Sequence, residues 1–171
     1  DALPISDYGS TNSSCCKNVA MCVNIATDFT HCGNCSTACN AMTANACVNQ
    51  QCMCGTNPAC NGARDMCKNG TSCVECLASA DCQDLAKPVC KGMDHCVECV
   101  VNGDCAANAN GPACDSTAEV CVSCTSGFGC AGAKPKCKVN ANPMLNQCVQ
   151  CLTNADCAGA TPTCNTLNQC V

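Results

Sequence analysis

Apolar runs in this chain are only a few residues long, and the pattern that recurs is C-V-x-C. It occurs at Cys73-Val74-Glu75-Cys76, Cys96-Val97-Glu98-Cys99, Cys121-Val122-Ser123-Cys124 and Cys148-Val149-Gln150-Cys151, and Cys170-Val171 repeats its first half. Between these stretches the cysteines keep a near-constant schedule. Five residues separate Cys76 from Cys82, seven separate Cys82 from Cys90, and five separate Cys90 from Cys96. A proline stands two places before the third cysteine of four successive units, at Pro88, Pro112, Pro135 and Pro162. Self-similarity at a period of about 22–27 residues marks a tandem-repeat protein.

Within a regular unit two halves are predicted. In the first, Ser79 caps a single helical turn, with Asn102 and Asn154 in the same place in their units. The second half, such as residues 161–171, reads as two short strands around an Asn-rich turn. A hairpin alone is marginal in water, so cross-links must hold it to the preceding loop. Two units depart from the pattern. The third follows a one-residue spacer, Met53, and carries Asp65 in place of the proline. The sixth carries a polar insertion from Lys138 to Gln147, predicted as a lengthened hairpin loop turning at Asn142-Pro143.

Composition decides what holds such units together. Leu, Ile, Val and Phe number only 23 of 171 residues, there is no Trp, and the aromatics are Tyr8, Phe29 and Phe128. Cysteine numbers 28, about 16 % of the chain, well above the roughly 8–10 % that signals a disulfide scaffold. The cysteines divide into seven sets of four. Four cysteines allow three connectivities, and first-to-third with second-to-fourth is favoured because it ties the loop to both hairpin strands. That pairing is Cys76–Cys90 and Cys82–Cys96, Cys99–Cys114 and Cys105–Cys121, Cys124–Cys137 and Cys130–Cys148, Cys151–Cys164 and Cys157–Cys170. Each bridge closes a loop of roughly 15 residues and contributes up to about 3 kcal/mol.

The predicted fold is a small disulfide-rich repeat protein, an elongated rod of short β-hairpins and loops with little helix. An extended N-terminal arm, 1–14, precedes an irregular, capping first unit at 15–32. The further units are 35–52, 54–73, 76–96, 99–121, 124–148 and 151–171. Disulfides persist in oxidising compartments, so the protein is expected to be secreted or at the cell surface, with a signal peptide removed before Asp1. No run is long enough to span a membrane. The net charge of -5 argues against a nucleic-acid partner.

The stretch from Cys22 to Cys54 contains T-D-x-x-x-C-G-N-C (Thr27 to Cys35) and A-C-V-N-Q-Q-C-M-C (Ala46 to Cys54). Together with C-V-E-C-L-x-x-x-D-C (Cys73 to Cys82), which recurs from Cys148 with Gln150 for Glu, it resembles the cysteine-rich repeats of secreted proteins of myxobacteria and related bacteria. The resemblance covers nearly everything after the arm. It implies an extracellular, repeat-built protein and carries no catalytic residue across. The spacer at Met53 and the Gly129 that stands in place of the usual Asp depart from it.

Other chemistries are weighed against this background. Repeated C-x-x-C can bind zinc, but each unit owns only the halves of two such arms. No C-x-x-C is followed by His, which argues against covalent haem, and five in series do not suit a thioredoxin-like fold. His31 and His95 each precede a unit-closing cysteine and are expected on strand surfaces, with no catalytic partner in the pattern. Asp81, Asp104 and Asp156 recur before the second cysteine; capping or turn formation suits them better than calcium. Lys134, Lys136 and Lys138 alternate and are expected to guard an edge strand against stray pairing, with an anionic glycan the other reading. Candidate glycosylation positions are Asn12, Asn34 and Asn69 in N-x-[ST] sequons, and Thr161 and Thr163 flanking Pro162.

No enzyme activity and no cofactor are expected. The partner expected first is a second copy of the chain. Ala2, Leu3 and Ile5 of the arm would pair by strand addition with Gln169 to Val171, giving a head-to-tail filament or surface fibre. The alternative is an adhesion module presenting repeat loops to a glycan or a protein.

Overall fold

The computed structural model describes residues 13–16 and 21–171. Ala2, Leu3, Ile5 and Asn12 lie outside the described residues. Ser13 and Ser14, placed in the arm by the sequence, open the first strand.

The elements are strands of two to four residues: β1 (Ser13–Cys16), β2 (Met21–Asn24), β3 (Ala46–Val48), β4 (Gln51–Cys54), β5 (Asn57–Pro58), β6 (Met66–Lys68) and β7 (Ser72–Val74). There follow β8 (Val89–Lys91), β9 (His95–Val97), β10 (Ala113–Asp115), β11 (Val120–Val122), β12 (Lys136–Lys138) and β13 (Gln147–Val149). Single 3-10 turns occupy Ser79–Asp81, Asn102–Cys105, Pro143–Leu145 and Asn154–Asp156, and the described residues contain no α-helix. Successive strands pair as two-stranded ribbons, except that β3, β4 and β5 form one three-stranded sheet. The chain divides into two compact units. One runs through Asp81 and takes in Gly92–His95; the other comprises Cys82–Lys91 and Cys96–Val171.

Each hairpin is built to present two cysteines side by side. Cys47 stands opposite Cys52, Cys67 opposite Cys73, Cys114 opposite Cys121, and Cys137 opposite Cys148. In the last repeat Cys164 and Cys170 form the same pair through an isolated bridge. Directly opposed residues share one face of an antiparallel ribbon, so both sulfurs of a hairpin point toward the preceding loop. Pro112 and Pro135 fall just before β10 and β12, where a missing N–H costs no ladder bond. The β3–β4 turn has Asn49 at φ 49° and Gln50 at φ 68°, a two-residue turn with both centres left-handed, whose twist matches the ribbon.

The loop supplies the other two sulfurs. The structure joins Cys54 to Cys67 and Cys60 to Cys73, Cys99 to Cys114 and Cys105 to Cys121, with Cα atoms 5.4–5.9 Å apart. Cys124 bonds Cys137, Cys130 bonds Cys148, Cys151 bonds Cys164 and Cys157 bonds Cys170. Cys82 bonds Cys96, and Cys76 and Cys90 are also disulfide-bonded. No described cysteine is free. The two bridges of a repeat pack together: the sulfurs of Cys99, Cys105 and Cys114 lie within 4.8 Å of one another. With Cys121, those residues form a buried cluster by themselves. The C-V-x-C valines Val74, Val97 and Val122 are buried too. Cystine sulfur does the packing that leucine does elsewhere.

Three expectations are corrected. The first two cysteine sets do not close on themselves. Cys32 bonds Cys47, alongside Cys39–Cys52, so the second repeat starts at Cys32 and Cys35 falls outside it. Cys15 bonds Cys22 across β1 and β2. Secondly, the Met53 spacer is more than a short linker. It lets β4 run through Cys52 and Cys54, so one strand closes the second repeat and pairs β5 of the third. Thirdly, Asn102 and Asn154 begin their 3-10 turns without capping them. Asn102 and Asn154 instead reach across the repeat, their Oδ1 atoms accepting the N–H of Cys114 and Cys164, both at 2.8 Å.

Candidate functional site

The cap comes from the aspartates before the second cysteine. Asp81 Oδ2 accepts the N–H groups of Leu77 and Ala78 at 2.8 and 2.7 Å. Asp104 does the same for Val100 and Val101, and Asp156 for Leu152 and Thr153. One carboxylate oxygen thereby turns the chain after three of the four C-V-x-C stretches, and these acceptors serve the backbone.

A second recurring contact, absent from the sequence reading, links neighbouring repeats. The residue after the third cysteine is a lysine in three repeats, and each reaches the hairpin turn of the next. Lys68 Nζ donates to Gly92 O at 3.1 Å, Lys91 Nζ pairs with Glu119, and Lys138 Nζ donates to Asn168 Oδ1 at 3.0 Å. The sequence signal is C-K at Cys67, Cys90 and Cys137. The fifth repeat has Asp115 there, which folds back on its own turn to accept the N–H groups of Thr117 and Ala118. The next repeat is the one with the insertion.

That insertion is a structured turn. Asn142 caps the 3-10 turn Pro143–Leu145 through the N–H of Met144. Asn146, buried at 3 % exposure, accepts the Asn140 N–H at 2.8 Å and donates to Cys124 O at 2.9 Å. Asn168 makes the matching bond to Cys151 O in the seventh repeat.

The sixth repeat also departs at its start. Gly129 stands where its neighbours carry aspartate, so no carboxylate can turn the loop. Thr125 and Phe128 instead close a tight turn, each N–H bonded to the other's carbonyl at 2.9 and 3.3 Å. Gly129 follows at φ 98°, where a Cβ would lie 2.6 Å from Ser123 O, so only glycine fits. This turn carries Phe128 outward, 47 % exposed. Phe29, by contrast, packs against buried cysteines.

Beside Phe128 a cleft of about 470 Å³ opens between the sixth and seventh repeats, lined also by Thr125, Ser126, Pro135, Lys136, Leu152 and Asp156. Lys136 Nζ lies 2.7 Å from Asp156 Oδ1 across it. That ammonium, with the N–H groups of Leu152 and Thr153, holds the Asp156 carboxyl far below the usual carboxylate range. A second cleft of about 340 Å³, with Asp115, Val139 and Asn146 in its wall, shares Thr125 and Ser126 with the first. This doubled cleft is the candidate site.

Several other predicted positions are brought to no common site. Lys138 makes a contact to the next repeat and Lys134 is exposed, so that of the three alternating lysines Lys136 alone joins the candidate site's first cleft. His95 opens β9 with Asp94 Oδ2 3.5 Å away. His31, expected on a strand, sits in a bend where Asp28 Oδ1 accepts its N–H at 3.1 Å. The Thr30 hydroxyl and N–H, with His31 behind them, lower the Asp28 carboxyl. Asn34 and Asn69 are exposed, as are Thr161 and Thr163. Asn34 Oδ1 is engaged by the Ser36 N–H at 2.9 Å.

The backbone N–H groups of Gln169 to Val171 have partners within the chain. Gln169 N–H donates to Asn165 Oδ1, Cys170 N–H to Gln150 Oε1 and Val171 N–H to Thr163 O.

The three-sulfur groups present no thiolate, since their cysteines are all disulfide-bonded. These features define a class: a cysteine-rich protein of small, repeated, doubly bridged hairpin modules. So many disulfides favour an extracellular, oxidising setting and a structural or binding role. Among the described residues no helix is long and apolar enough to cross a membrane. No protein-family model matches the chain, and no curated protein or solved structure matches it.

Proposed function

We propose that the chain is a secreted structural protein, a run of disulfide-stapled repeats that associates with its own copies into a filament or surface fibre, and that it performs no catalysis. The observation that carries this reading is the recurring lysine contact. A lysine beside the third cysteine meets the turn of the next hairpin at Gly92, Glu119 and Asn168. Donor and acceptor patches differ, so the contact is head-to-tail, the kind that propagates into open arrays.

Two further features support it. The seventh repeat exposes Leu167 at 74 %, apolar surface that a second copy would cover. The resemblance of Cys73 to Cys82 and its recurrence to repeats of secreted myxobacterial proteins points to the same setting. Sedimentation velocity of the non-reduced protein over a wide concentration range, with negative-stain imaging, tests the assembly. Growing assemblies that shrink in Leu167→Asp are expected. A species that stays monomeric at every concentration would sink the self-association.

A further inference from the structure

The described residues contain two aromatic side chains, and the exposed one lines a cleft. In a chain with so little large apolar surface, an outward phenylalanine contributes nothing to its own repeat's core. The Gly-rich turn that lifts it is also the one place among the fourth to seventh repeats where the aspartate clamp is given up.

The polar groups around the ring have capacity to spare. The Thr125 and Ser126 hydroxyls line the cleft and make no hydrogen bond within the described protein. An ammonium donates three hydrogen bonds, and Lys136 gives one to Asp156. An apolar face ringed by hydroxyl and ammonium groups matches a sugar ring, whose C–H face seeks an aromatic surface while its rim seeks hydrogen bonds. The adjoining cleft across Thr125 and Ser126 gives a second ring somewhere to lie.

Charge narrows the class. Lys136 is neutralised by Asp156, and the neighbouring cleft adds Asp115, so nothing favours an anionic polymer. A bound peptide strand would need unpaired backbone N–H groups, and those of Thr125 and Phe128 bond each other's carbonyls. We propose that the doubled cleft on the sixth repeat, bounded on one side by the seventh repeat and on the other by the fifth, binds a neutral polysaccharide, with one sugar ring seated on Phe128. This goes beyond the structural role and does not depend on self-assembly.

Affinity electrophoresis of the full non-reduced chain tests it, in native gels containing hydroxyethylcellulose, laminarin, dextran or glycol chitin, with gelatin as the polypeptide arm. Retardation by at least one polysaccharide is expected. Phe128→Ala should weaken it about tenfold, the loss of one aromatic contact. Phe128→Tyr should retain it, and Met42→Ala, an exposed apolar change in the other compact unit, should leave it unchanged. The tyrosine variant keeps the test decisive if the alanine variant fails to oxidise correctly, because its retardation must then match the parent. No retardation by any polysaccharide would overturn the proposal. So would retardation unaffected by Phe128→Ala, or retardation by gelatin that Phe128→Ala abolishes.

Discussion

Lys138 Nζ donates to Asn168 Oδ1 at 3.0 Å, so the residue after the sixth repeat's third cysteine holds the turn of the seventh. The same position makes the same reach from Lys68 and Lys91. Within a repeat the links are covalent; these contacts between repeats are surface-exposed polar ones.

That difference in strength is measurable. Lys91 and Glu119 are 41 % and 28 % exposed, and exposed pairs are worth about 0.2–1 kcal/mol. A double-mutant cycle of Lys91→Ala and Glu119→Ala, read by melting of the non-reduced protein, should give a coupling in that range that fades with added salt. A coupling indifferent to salt would contradict the ion pair.

Asn146 should matter more. It is buried and satisfies both the Asn140 N–H and Cys124 O. Asn146→Ala leaves both unpaired, at a cost of about 2 kcal/mol. Faster reductive opening of Cys124–Cys137 than of Cys99–Cys114 in the same variant is the expected readout. Equal rates in parent and variant would remove the buried amide from the account.

Acid should loosen the seventh repeat's clamp. The Asp156 carboxyl is lowered in the folded chain by Lys136 and by two N–H groups, against an unfolded value of about 3.9. A lowered folded value means the carboxylate's contribution is fully present above about pH 4 and is lost as pH falls toward the folded value. The amide shifts of Leu152 and Thr153, followed by NMR, should therefore move only well below pH 4, and Lys136→Met should raise their midpoint. A midpoint at the unfolded value would contradict the geometry.

Much of this was legible because cysteine spacing is a covalent signal. The C-V-x-C stretches, the proline before the third cysteine of the last four repeats and the hairpins all follow from one periodicity. What failed had local causes. Cys32 and Cys35 lie three residues apart, so spacing alone does not say which opens the second repeat. Asn102 was read as a cap from its place in the turn, yet Asp104 two residues later has the reach to fold back on Val100 and Val101. The cleft was visible only as a gap, Gly129 for aspartate. Its consequence, an outward Phe128, depends on a left-handed φ and a close approach to Ser123 that one sequence does not display.

Reduction should unfold the protein wholly. Only 23 large aliphatic or phenylalanine side chains serve all seven repeats, and the buried sets in the second and fifth repeats consist mostly of cysteine. Circular dichroism of the fully reduced and alkylated chain should show no cooperative melt. A reduced chain that still melts sharply would mean that a core other than cystine exists.

The most direct test is the bridge map of the native protein. Proteolysis without reduction, followed by mass spectrometry, should recover Cys99 with Cys114, Cys105 with Cys121, Cys151 with Cys164 and Cys157 with Cys170, and no free thiol. Bridges between directly opposed pairs such as Cys114 and Cys121, or cysteines recovered as free thiols, would contradict the stapled repeat on which the account rests.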